Sequence, residues 1–155
     1  MQINTNLILR YGLVTFVIAL VTWQVWRALV RKSNKQDVSL KRSLDTQAQA
    51  VAARWLSQRM SITEATALEG LKTSSDTNSV AIFWREHEAQ LHMVFAEVAR
   101  GNYQVTFRVL ASGDDRMEQT HSITLDELPN SIRTAFMRGN SSMEVRWTPT
   151  FEQET

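Results

Sequence analysis

The chain contains no cysteine, only five glycines and only two prolines. Without thiols there is no disulfide, no thiolate zinc or iron–sulfur site and no thiol nucleophile. The same absence is compatible with either redox compartment. So few glycines leave no room for a Gly-rich phosphate loop or a low-complexity tail. The three histidines, His87, His92 and His121, do not compose a metal site by spacing. On a helix His87 and His92, five apart, do not share a face, and Glu88 with His92 gives two ligands where a site needs more. Asp114 and Asp115 are explained by a turn, and Asp126 and Glu127 by a helix start. Ser141 and Ser142 have no histidine or carboxylate near them in sequence for triad chemistry. The chain therefore reads as non-catalytic, with no cofactor.

Charge is also missing from one long stretch. From Tyr11 to Trp26 there is no Asp, Glu, Lys, Arg or His, and the apolar run Tyr11–Val30 carries only Arg27. At about 1.5 Å per residue, twenty helical residues cover roughly 30 Å, the thickness of a hydrocarbon core. The run predicts a transmembrane helix over 11–30. Tyr11 at one end, and Trp23, Trp26 and the snorkelling Arg27 at the other, suit the two interfaces. A cleaved signal peptide is a poorer fit, because no small-x-small site follows the run directly.

Arg31, Lys32, Lys35, Lys41 and Arg42 follow, against Arg10 alone before the run. The positive-inside rule places the N-terminus outside and the C-terminal domain in the cytoplasm, in a bacterial inner membrane. Residues 27–60 hold eight Lys/Arg and two Asp/Glu, a net of +6, whereas residues 61–155 hold eight and fourteen, a net of −6. The basic half suits anionic lipid headgroups, and the acidic distal half disfavours a nucleic-acid partner.

One face of the span carries Gly12, Thr15, Ala19 and Thr22, followed by Trp26, at spacings of 3, 4, 3 and 4. Small residues in that register allow close helix–helix packing in lipid, and Gln24 adds an amide that wants a partner. The expected partners are other integral membrane proteins, in a hetero-complex or a homo-oligomer.

Beyond the tail 1–10 and the span, residues 31–72 read as a basic juxtamembrane region and helical stalk. Leu40, Leu44, Ala48, Val51 and Trp55 form one apolar stripe to about Met60, and Ser61 with Glu64 predicts a capping box for a second helix to about Leu71. Residues 73–79 read as a linker, and 80–151 as a small α+β domain. Val80–Trp84 reads as a buried strand. Glu86–Arg100 reads as a helix ended by Gly101, with a strand over 91–98 as the alternative. Tyr103–Ala111 alternates cleanly as a strand, Ser112–Asp115 is a turn, and Arg116–Ile123 is a polar edge strand. Thr124 and Glu127 form a second capping box, Ile132, Ala135 and Phe136 the inner face of a helix ended by Gly139, and Met143–Trp147 a last strand. The favoured order is ferredoxin-like, βαββαβ; the alternative is a β-meander with one helix.

Anchor, stalk and small domain is a layout shared with inner-membrane platform proteins of bacterial secretion and pilus machines. No motif here matches them, and their domains usually lie outside the cytoplasm. The leading expectation is a membrane subunit that scaffolds or assembles into a larger complex. A tethered sensor that binds a small ligand or nucleic acid is the alternative, and a platform protein with a periplasmic domain is another.

Overall fold

The computed structural model describes residues 5–73, 77–113 and 115–149, with side chains from Phe16 onward. The elements are helices α1 (Thr5–Met60), α2 (Glu64–Lys72) and α3 (Ser79–Glu86), strands β1 (Gln90–Ala99), β2 (Asn102–Leu110) and β3 (Arg116–Ile123), a 3₁₀ turn (Leu125–Glu127), helix α4 (Asn130–Met137) and strand β4 (Ser142–Trp147). The chain divides into two compact units, Met1–Ser39 and Leu40–Thr155, and α1 contributes to both.

The second unit is α+β. Its four strands form one antiparallel sheet in the order β3-β2-β1-β4. β1, β2 and β3 make a meander, and the chain returns through α4 to lay β4 on the free side of β1. On the inner face Leu91, Phe95, Val105, Phe107 and Val109 are buried. They share one core with Leu44, Ala48, Val51, Ala52, Trp55 and Leu56 of α1. The predicted stripe of α1 is therefore core rather than stalk from Leu40 onward. An antiparallel sheet with one apolar face needs a helix layer, and α1 supplies part of it.

Two elements are exchanged relative to the sequence expectation. Val80–Trp84 is not a strand but most of α3, whose buried residues Val80, Ala81 and Trp84 follow helical spacing. Asn78 caps it, accepting from the Val80 N–H at 3.0 Å. Trp84 then meets Trp55 edge-on, with ring centroids 5.8 Å apart. Residues 90–99 are not a helix but the central strand β1, in which Leu91, Met93 and Phe95 face the core with period two. Glu88, at a φ of 49°, breaks the chain between α3 and β1. Gly101 ends no helix; it sits at a φ of 80° in the β1–β2 turn, where its N–H donates to Glu97 Oε1 at 2.9 Å. With a helix first, a three-strand meander next and β4 after α4, the domain is α+β but follows neither the ferredoxin-like order nor the meander with one helix.

The cap of α2 also moves. Thr63, not Ser61, is the N-cap, and its Oγ1 accepts from the Thr66 N–H at 3.2 Å. Ser61 adopts a φ of 55° at the corner after α1. Edge strand β3 and strand β4 stand where the sequence places them, whereas the Thr124–Glu127 capping box closes the 3₁₀ turn and α4 starts separately at Asn130, after Pro129. Of the segment read as linker, Ser74–Asp76 lie outside the described residues, and Asn78 donates through Nδ2 to Gly70 O at 2.6 Å and to Thr73 O at 2.9 Å.

Candidate membrane and interaction surfaces

The first unit is helix. Among the described residues no helix is long and apolar enough to cross a membrane. The run expected to do so begins at Tyr11, and the side chains of Tyr11–Thr15, Gly12 among them, lie outside the described residues. From Phe16 to Val30 the helix is exposed on every side and apolar except at Thr22, Gln24 and Arg27: Phe16 is 67% exposed, Ile18 57%, Val21 55%, Trp26 63% and Leu29 61%. Three polar residues among fifteen leave no continuous polar face for water.

Of the small-residue seam, Ala19 and Thr22 are described and exposed. Thr22 Oγ1 donates within its own helix, with Ile18 O and Ala19 O both at 2.9 Å. Its single hydroxyl proton is thus spent locally, and Thr22 offers the seam small volume rather than a free donor. Gln24 is exposed in the same helix.

At the end of the apolar run, the Arg27 guanidinium lies 4.9 Å from the centroid of the Trp23 ring. A cation over an indole face is attracted by the ring quadrupole. The sequence placed both residues at an interface but did not pair them; their i, i+4 spacing was the available signal. Arg31, Lys32 and Lys35 are exposed in the same unit, and Lys41 and Arg42 are exposed in the second.

The second unit carries two surfaces. Its outer sheet face is polar, with Thr106 Oγ1 and Thr120 Oγ1 3.0 Å apart and Arg108 Nε donating to Glu118 Oε1 at 2.7 Å. His92 Nδ1 lies 2.6 Å from Glu144 Oε1, a close approach of possible ion-pair partners whose angle does not suit a hydrogen bond. Beside edge strand β3, a groove of about 230 Å³ is lined by Leu40, Ser43, Leu44 and Gln47 of α1 and by Val105, His121, Ser122, Ile123 and Glu127. Sequence reasoning missed this groove, because it depends on α1 packing beside β3.

The histidines are dispersed. His87 stacks on Phe83 with centroids 3.9 Å apart, and its backbone carbonyl accepts from the Ser112 N–H and Oγ, each at 2.9 Å. His121 meets Phe107 edge-on at 5.8 Å. Among the described residues no three His, Asp or Glu are grouped to hold a metal. Among the described residues, Glu127 has a shifted titration. Its carboxylate accepts from the Thr124 N–H and Oγ1, both at 2.8 Å, which holds its pKa below the usual value. Ser142 lies on β4 and Ser141 just before it, and Asp126 is in the 3₁₀ turn.

Comparison with family models, curated proteins and solved structures gives no match.

Proposed function

We propose that this chain is a non-catalytic, single-pass membrane protein that assembles into or scaffolds a larger membrane complex. The observation that carries the reading is the apolar helix exposed on all sides from Phe16 to Val30. Burying one large apolar side chain is worth about 1.5–3 kcal/mol, so a run of them exposed to water is strongly unfavourable. Lipid on most of the surface and a second helix on the small-residue side satisfy it. Tyr11 and the Trp23, Trp26 and Arg27 group are the interfacial anchors. Gly12, Thr15, Ala19, Thr22 and Gln24 form the contact face, and Arg31, Lys32, Lys35, Lys41 and Arg42 meet anionic headgroups.

The positive cluster after the span sets the second unit on the cytoplasmic side. There its mostly polar sheet face and open β3 edge are available to a protein partner. Alkaline extraction of membranes followed by co-purification of the full chain in mild detergent tests the reading. Retention in the membrane with stoichiometric membrane-protein partners is the expected result. A chain released by alkali, or a lone monomer that binds a metabolite or DNA, overturns it. Reporters fused to the C-terminus test the side separately: activity outside the cytoplasm reverses the topology and favours the platform layout.

A further inference from the structure

The cations beyond the apolar run are not evenly spread round the helix. Trp23, Arg27, Arg31 and Lys35 recur every fourth residue, so each stands next to the one before. Arg27 is already oriented by Trp23, at 4.9 Å from the ring centroid. Arg31 follows about 6 Å further along the axis, on the watery side. Lys32 lies apart, about 100° round from Arg31 and about 140° from Arg27.

Two guanidiniums one turn apart match a phosphodiester, because each planar fork can donate two N–H groups to phosphate oxygens. The tryptophan beneath holds Arg27 at the depth where lipid phosphates lie, since indoles prefer the headgroup level. The ring also restrains a side chain that would otherwise lose rotamer freedom on binding. None of Arg31, Lys32 and Lys35 is engaged by another side chain among the described residues. We infer that Trp23, Arg27 and Arg31 form a binding site for the phosphate of an anionic phospholipid, with Lys35 adding charge. The inference rests on the membrane reading above and adds to it a bound lipid held by one face rather than a diffuse attraction.

The test uses the full chain reconstituted in nanodiscs of equal phosphatidylglycerol and phosphatidylcholine. After transfer to detergent, the lipid that stays bound is measured by native mass spectrometry. The wild-type chain retains phosphatidylglycerol in preference to phosphatidylcholine. Arg27→Gln/Arg31→Gln loses that preference by about twenty-five-fold, at roughly five-fold per cation, while Lys32→Gln loses no more than the roughly five-fold of one diffuse charge. Arg27→Lys/Arg31→Lys, which preserves charge but not the forks, loses part of it. Far-ultraviolet circular dichroism confirms that the helix survives each change. Unchanged preference in the double glutamine variant overturns the site, as does an equal loss in Lys32→Gln, which would show a field without a face. A wild-type chain that enters the nanodisc but shows no preference removes the site and leaves the membrane reading standing. A chain that never enters the nanodisc removes both.

Discussion

A Cβ on Gly70 would stand 2.6 Å from Val80 Cβ and 2.6 Å from its Cγ2. The obstacle is a β-branched side chain rooted in the backbone of α3, not the far end of a flexible one. Helices α2 and α3 therefore touch at a point where only hydrogen fits.

Gly70→Ala sets two effects against each other. Alanine raises helix propensity by about 1 kcal/mol, whereas overpacking costs about 1–3 kcal/mol. A contact this short, with no soft side chain to yield, gives the second effect the larger share. The expected outcome is net destabilisation, read as a lower urea midpoint. Adding Val80→Ala relieves the Cγ contacts and leaves the Cβ one, so it rescues only in part.

Trp147 Nε1 donates to Asp45 Oδ1 in a part-buried hydrogen bond that ties β4 to α1. Asp45→Ala leaves a part-buried N–H without its acceptor and should cost about 1 kcal/mol. Asp45→Asn keeps an acceptor oxygen and should cost less. Equal losses in the two variants, measured by denaturant unfolding, would remove the hydrogen bond from the account.

Acid sensitivity at Glu127 has a fixed sign. Its folded pKa lies below the unfolded value of about 4.5 because the Thr124 N–H and hydroxyl donate to it. The stabilisation is full above that unfolded value and is lost as pH falls through the folded one. The stability gap between wild type and Glu127→Gln should therefore narrow below about pH 4.5. A gap that widens on acidification would contradict the capping geometry.

In the first unit, Ala19→Leu should weaken co-purification without releasing the chain from the membrane. Thr22→Val should leave it nearly unchanged, since the hydroxyl already donates to Ile18 O and Ala19 O. If the valine variant fails and the leucine variant does not, the seam is misassigned.

Truncation separates a stalk from a core. A fragment starting at residue 38 keeps Leu44, Ala48, Val51 and Trp55 and should unfold cooperatively. One starting at residue 73 lacks these core residues and should expose the inner sheet face, binding hydrophobic dye.

The C-terminal half of the domain was legible because its signals are local. Alternation in Tyr103–Ala111, the Thr124–Glu127 pair and Gly139 after α4 each report on their own neighbourhood. α3 was misread because Val80, Ile82, Phe83 and Trp84 have strand composition, yet packing on Trp55 selects their helical spacing. β1 was misread because Val94, on the outer face, completes a false helical pattern with Leu91, Phe95 and Val98. The stripe of α1 was visible, but nothing local tells a stalk from one wall of a core. Among the proposed site residues, the basic cluster and aromatic anchors were readable from position, whereas the Trp23–Arg27 stacking needs side-chain directions.

The Trp147–Asp45 hydrogen bond joins residues 102 positions apart. Asp45 therefore leaves the ribosome well before Trp147. At roughly 5–20 residues per second, the α1 half of the core waits several seconds for its last strand. During that interval Val51, Trp55 and Leu56 lack part of the sheet that covers them. Synthesis therefore has an order: the α1 wall of the core comes first and β4 closes it last, and between them a chaperone or a partner chain has first access to the open core.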